Sequence, residues 1–243
     1  MKIIKFLKES YIDYPGKIST VVFNGSCNYE CSACHAKDLF EDNERVDEKE
    51  FFNYLDSTKD WIEAVVLCGG EPTLELGLVN FARKLKKRNL AVKLDTNGSN
   101  YEKLLELKKE KLIDYVAMDI KGPKNLYNNL VGEKVNLENI EKSMKITQNF
   151  PNYEFRTTVV PIIRDHGLTC FMNTDEAEEM AKWIVDVTGK NKHKHYLQKF
   201  VPRKNELLDS RLEEFPEPSE SLLKGMKAKI IRYLPNCEIR NEN

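Results

Sequence analysis

Six short segments that read as strands, at residues 18–23, 64–68, 91–96, 114–120, 154–160 and 195–200, alternate with segments whose apolar residues recur at helical spacing. Leu74, Leu78, Phe81, Ala82 and Leu85 form one such stripe. Further helices are expected at 48–62, where Phe51, Phe52, Leu55 and Ile62 share a face, at 101–109, around Leu137, Ile140 and Met144, and at 175–187. Parallel strands need a crossover of roughly a dozen residues or more, and the intervening helices supply it. The alternation therefore predicts a parallel sheet. Six units are too few to close an eight-stranded barrel, yet the chain is too long for a small doubly wound domain with short loops. The expected architecture is α/β, an open partial (β/α)6 TIM-type barrel with a C-terminal helix. In either parallel architecture ligands bind at the carboxyl ends of the strands.

The length of 243 residues, 41% of them hydrophobic, suits one domain over 1–243, with a core at about 17–200 and an extension at about 201–243. A net charge of -1 and a pI near 6.5 give no electrostatic footprint for nucleic acid. The mixed charges at 84–88 and 106–111 read as solvated helix faces. No window approaches the ~20 apolar residues of a membrane span, and the lysine-interrupted start lacks the core of a signal peptide. A cytoplasmic, reducing location is expected, which keeps cysteines available for metal. In the extension, Leu222, Leu223, Met226, Ile230 and Leu234 predict a helix over 219–234 packing across the barrel. Residues 202–218 are charged and irregular, and either close a site or merely connect.

Directly after the first strand, Cys27, Cys31 and Cys34 stand in a Cys-x3-Cys-x2-Cys pattern that holds half of the six cysteines. Three thiols this close cannot pair off as disulfides, but one loop can turn them toward a soft metal centre. A tetrahedral zinc site closes with a fourth Cys or His, whereas an iron-sulfur cubane can be held by three cysteines and keep one iron open. Adjacent residues on a turn rarely face one metal, so His35 is assigned a supporting hydrogen-bonding role. Cys68, Cys170 and Cys237 lie far apart, carry no ligand spacing, and read as small buried hydrophobes.

This loop resembles the signature of the radical S-adenosylmethionine (SAM) superfamily. The resemblance implies a [4Fe-4S] cluster on Cys27, Cys31 and Cys34, with SAM on the fourth iron and reductive cleavage of SAM to a 5'-deoxyadenosyl radical. That family usually has an aromatic residue where Ala33 stands, a departure that touches adenine packing rather than ligation. The flanks Asp13-Tyr14-Pro15-Gly16-Lys17 and Val21-Val22-Phe23-Asn24-Gly25, and Cys34-His35, resemble the glycyl-radical-enzyme activases. Within that group the similarity is greatest to the activating protein of anaerobic ribonucleoside-triphosphate reductase, although Ala36 stands where Asn is frequent. A partner enzyme of that kind and a flavodoxin or ferredoxin-type electron donor are implied with it.

Three further strand ends carry polar motifs. Gly69-Gly70-Glu71 resembles the Gly-Gly-Glu motif of the fold, which makes these three residues SAM contacts by carry-over; glycines there let backbone approach a ligand. Asp95-Thr96-Asn97-Gly98 and Asp119-Ile120-Lys121 resemble activase motifs, implying Asp95, Thr96 and Asp119 around a sodium or potassium ion and Asn97 and Lys121 beside SAM. Helix capping is the plain alternative for the two aspartates. Arg156, the lone charge of the run from Phe155 to Pro161, is expected to reach into the barrel and resembles an activase arginine near SAM. Gln198 sits in a similar sixth-strand motif with no assigned role. The reading is a radical SAM activase. Its rivals are a radical SAM enzyme acting on a small molecule or modified base, and a noncatalytic zinc-binding interaction module using Cys27, Cys31, Cys34 and His35.

Overall fold

In the computed structural model, which describes residues 1–41, 45–164 and 167–240, the six expected strands lie side by side and parallel. They are β2 (Ser19–Asn24), β3 (Ala64–Gly69), β4 (Ala91–Thr96), β5 (Tyr115–Asp119), β6 (Asn152–Val159) and β9 (His195–Lys199). Two short strands widen the sheet. At one edge β1 (Lys5–Ser10) pairs antiparallel with β2, and at the other β10 (Cys237–Arg240) pairs parallel with β9. The sheet therefore runs β1-β2-β3-β4-β5-β6-β9-β10, the open α/β partial barrel that the alternation predicts.

Alternate residues of each strand point to opposite faces, and the two faces differ in chemistry. Val65, Leu67, Val92, Leu94, Val116, Met118, Phe155 and Leu197 join the main core, packed with the helices. These are α2 (Glu48–Ser57), α3 (Leu78–Lys86), α4 (Tyr101–Lys109), α6 (Leu137–Thr147), α7 (Thr174–Thr188) and α8 (Glu220–Ile230). On the inner face a small apolar plug of Tyr14, Val21, Ala64, Val66 and Tyr115 fills the amino-terminal end. Toward the carboxyl ends the inner face turns charged.

Three expectations about helices need correction. The helix expected to 62 stops at Ser57, because the Thr58 hydroxyl donates back to the Tyr54 carbonyl at 3.0 Å and the chain turns. Ile62 is still buried, in the turn that follows. Leu74 falls in a single 3-10 turn, Pro72–Leu74, outside α3. The C-terminal helix does not cross the barrel: α8 lies beside α7 in the outer layer and leads into β10. The short α1 (Lys37–Glu41) and α5 (Tyr127–Val131), and the hairpin of β7 (Pro161–Ile163) with β8 (Thr169–Phe171), were not anticipated. Among the described residues no helix is long and apolar enough to cross a membrane.

Candidate active site

The cysteine loop leaves β2 at Asn24 and is held from three sides. On the β3 side, the Gly70 amide donates to the Asn24 carbonyl at 2.9 Å and the Glu71 amide to the Ser26 carbonyl at 2.6 Å. A Cβ on Gly69, whose φ is +109°, would sit 2.4 Å from the Asn24 carbonyl oxygen, and one on Gly70 would sit 2.2 Å from that of Ser26. The backbone that these glycines admit is therefore the cysteine loop's own. On the α5 side the Glu30 amide donates to the Val131 carbonyl at 2.9 Å.

The third hold comes from the extension. The amides of Leu208 and Asp209 donate to the carbonyls of Cys34 and Ser32 at 3.1 and 3.0 Å. His35 Nε2 lies 2.9 Å from the Val201 carbonyl oxygen, and its ring stacks on Phe200. Ala33 packs against the cluster of Phe200, Leu207 and Leu212. Residues 201–212 thus strap the loop down, and Ala33 serves this packing. Replacing Gly70 by Ala is expected to unseat the loop. The iron bound after anaerobic reconstitution should fall several-fold while far-ultraviolet circular dichroism stays as in the parent, and unchanged iron would show that the contact yields.

Cys27, Cys31 and Cys34 all line a cavity of about 650 Å³, within the range of small-molecule sites. Gly69, Gly70, Asn97, Asp119, Lys121 and Arg156 line it too. Burial pushes the three thiols up, and the Lys121 ammonium opposes that at each of them. His35 is turned to Val201, so it does not complete a tetrahedral set. Among the described residues no three of His, Cys, Asp or Glu converge as a single metal ion requires. Three soft sulfurs on one loop at the cavity, with the fourth cavity cysteine, Cys68, set apart on β3 opposite Phe23, are the donor set of a three-cysteine cubane rather than of closed zinc. The residues fit a [4Fe-4S] cluster.

Glu71 is fully buried and does not line the cavity. Its carboxylate accepts from the Thr73 amide at 3.0 Å, the Thr96 hydroxyl at 2.8 Å and the Asn97 amide at 2.6 Å, so it ties the ends of β3 and β4 together. Burial raises its pKa and these donors oppose the rise. Its side chain is therefore a brace between the two strand ends. Asn97 does face the cavity, with its side-chain amide donating to Asn28 Oδ1 at 3.0 Å. Gln198, in the sixth-strand motif, stands on β9 opposite Thr158 and Arg240.

Along the inner face runs a ladder of alternating charge. Lys93 Nζ stands 2.5 Å from Asp95 Oδ1, and Arg156 spans Asp95 Oδ2 at 2.8 Å and Asp119 Oδ1 at 3.0 Å. Lys121 Nζ closes it at 2.9 Å from Asp119 Oδ2. Burial works against ionisation of both aspartates, but the facing cations outweigh it and hold Asp119 down at about 2. Neither aspartate caps a helix: Asn100 caps α4.

This ladder does not suit a sodium or potassium ion. Each carboxylate oxygen already has a cationic partner, and the Thr96 hydroxyl donates to Glu71 and accepts from the Gly98 amide. A cation on the same oxygen as Lys93 would be repelled by the ammonium by roughly 3 kcal/mol at an effective dielectric near 20. Sequence reasoning passed over Lys93 entirely. The signal was there, since a strand places residues two apart on one face, and Lys93 is two from Asp95.

A sequence model of the Radical SAM superfamily matches residues 21–184, the stretch holding the cysteine loop, the paired glycines and the charged ladder. The chain belongs to this superfamily and is a radical SAM enzyme. A Methanocaldococcus jannaschii protein provisionally named as a glycyl-radical enzyme activating enzyme is 34% identical over 96% of this chain and 93% of its own. A second protein of that organism with the same provisional name is 26% identical over 83% of this chain and 78% of its own. Among solved structures, Streptococcus suis SuiB bound to S-adenosylmethionine superposes with a TM-score of 0.66 at 15% identity. That match covers 93% of this chain and 51% of SuiB, so this chain spans about half of SuiB's length, and it speaks for the fold alone.

Proposed function

We propose that this chain is a glycyl-radical-enzyme activase, and that anaerobic ribonucleoside-triphosphate reductase is the first partner to test. The observation that carries the reading is the 34% identity to a protein provisionally named as such an activase, sustained over nearly the whole of both chains. A [4Fe-4S] cluster with SAM supplies the reductive cleavage that yields methionine and a 5'-deoxyadenosyl radical, the species that takes a hydrogen atom from a partner glycine.

The chain's own residues do the holding. Cys27, Cys31 and Cys34 carry the cluster, and the 201–212 strap keeps their loop seated. Gly69, Gly70 and Asn97 form the wall for SAM, while Arg156 and Lys121 offer positive charge where its carboxylate needs a partner. Cations fixed in place by Asp95 and Asp119 need no reorganisation when SAM arrives. A flavodoxin or ferredoxin-type protein is the reductant in this scheme.

Reduced, SAM-loaded protein mixed anaerobically with the reductase is expected to give a protein-borne doublet in the electron paramagnetic resonance spectrum. The doublet should collapse when the partner's glycine carries deuterium at Cα. If no glycyl-radical partner gives that signal, while a small metabolite speeds formation of 5'-deoxyadenosine, the protein acts on a small molecule and the activase reading falls.

A further inference from the structure

We propose that Lys93 takes the place of a monovalent metal ion in this centre: its ammonium, fixed on Asp95 at the head of the Asp95–Arg156–Asp119 bridge, supplies the charge, and SAM binds without sodium or potassium.

The position of Lys93 is hard to explain otherwise. It is 4% exposed, and its register partners on β3 and β5 are Val66 and Tyr115, both in the apolar plug of the inner face. A buried ammonium costs free energy that an apolar side chain in that layer would not, and its pairing with Asp95 offsets that cost without making the pair better than an apolar filling. Its partner is Asp95 Oδ1, the one oxygen of that carboxylate which Arg156 does not engage. With Lys93 present, three cations face two carboxylates along the ladder, an excess of one positive charge. That is the charge a SAM carboxylate calls for. Without Lys93 the ladder would be neutral, and Asp95 would keep an oxygen free for a metal ion.

The inference rests on the SAM-binding reading and is independent of which partner the enzyme serves. Anaerobically reconstituted holoenzyme would be titrated with SAM in sodium, potassium or choline chloride at equal ionic strength. Crystals of the same protein would be soaked in thallium(I) acetate. For the parent, the three dissociation constants should agree within about twofold, and no anomalous thallium peak should appear between Asp95 and Asp119. Lys93→Met should bind SAM about tenfold more weakly in choline, regain affinity in potassium or sodium, and show thallium on Asp95. Lys93→Arg should remain indifferent to the salt. A thallium peak on Asp95 in the parent, or SAM binding by the parent that is tenfold weaker in choline, overturns the proposal. So does a Lys93→Met protein that matches the parent in all three salts. If Lys93→Met fails to fold, the parent's salt series and thallium map decide alone. Loss of SAM binding in every salt would count against the cofactor reading instead, and the thallium map would still decide the role of Lys93.

Discussion

Single replacement of Cys27, Cys31 or Cys34 by Ala is expected to abolish the cluster, taking bound iron from about four per chain to below one after anaerobic reconstitution. The brown absorbance and all SAM cleavage should vanish with it. The reason is placement: the three sulfurs share one loop, His35 is committed to Val201, and the remaining cavity cysteine, Cys68, stands on β3 rather than on that loop. Cys68 is the most demanding control. It lies at the end of β3 and lines the same cavity, so spacing alone does not clear it. It is fixed in the sheet opposite Phe23, apart from the loop that carries the other three. Cys68→Ser should therefore keep its iron, as should Cys170→Ser, where the sulfur faces Arg164, and Cys237→Ser, where it faces His195. A Cys68→Ser protein without iron would show that the ligand set has been misassigned, and a zinc-loaded, colourless parent would end the cluster reading.

The strands β2 and β3 were legible because each is a largely apolar run with both faces buried at its start. Ala64-Val65-Val66-Leu67 places Val65 and Leu67 against helices and Ala64 and Val66 in the inner plug, and its shortness, paired valines and bounding glycine favour a strand over a buried helix. The edge strands were not legible for the matching reason. β1 reads Lys-Phe-Leu-Lys-Glu-Ser and is mostly exposed, while β10 is four residues long with Glu238 outward. Edges are kept short and charged in natural sheets, and that erases the signal that identifies interior strands.

The site divides along the same line between local and distant. Cys27, Cys31 and Cys34 share a loop, so spacing alone told of a common centre. Gly69 and Gly70 were found for an incomplete reason: they line the cavity, yet the closest backbone to them belongs to Asn24 and Ser26 rather than to a ligand. Glu71 matched a motif by letter while its side chain turned inward, because Thr73, Thr96 and the Asn97 amide converge on it. The strap is a contact across some 170 residues of chain, from Leu208 to Cys34, and no periodicity encodes it.

Arg156→Met should be the most damaging change outside the cysteines, and its pH dependence separates charge from packing. Arg156 is the only side chain that touches both Asp95 and Asp119 among the described residues, and it is 14% exposed. Removing one member of a buried ionic network typically costs about 3–5 kcal/mol, since the remaining charges stay desolvated. The cluster loop is anchored elsewhere, so iron content should hold while SAM affinity falls. Asp119 is held at about 2, below its usual value near 3.9, so its ionised form contributes about 2–3 kcal/mol of stability that is complete above pH ~5 and lost as pH falls through 2. In the variant both carboxylates lose a cation and their pKa values rise; acid then relieves the variant while it penalises the parent. The stability gap, read as the difference in urea midpoint of the cluster-free proteins, should be widest at pH 7 and narrow steadily below pH ~4. Adding Asp119→Asn to Arg156→Met should recover part of the loss at pH 7. A gap that is the same at pH 7 and at pH 3.5, with no recovery from the second substitution, would mean that Arg156 fills space and that the ladder contributes no net ionic stabilisation.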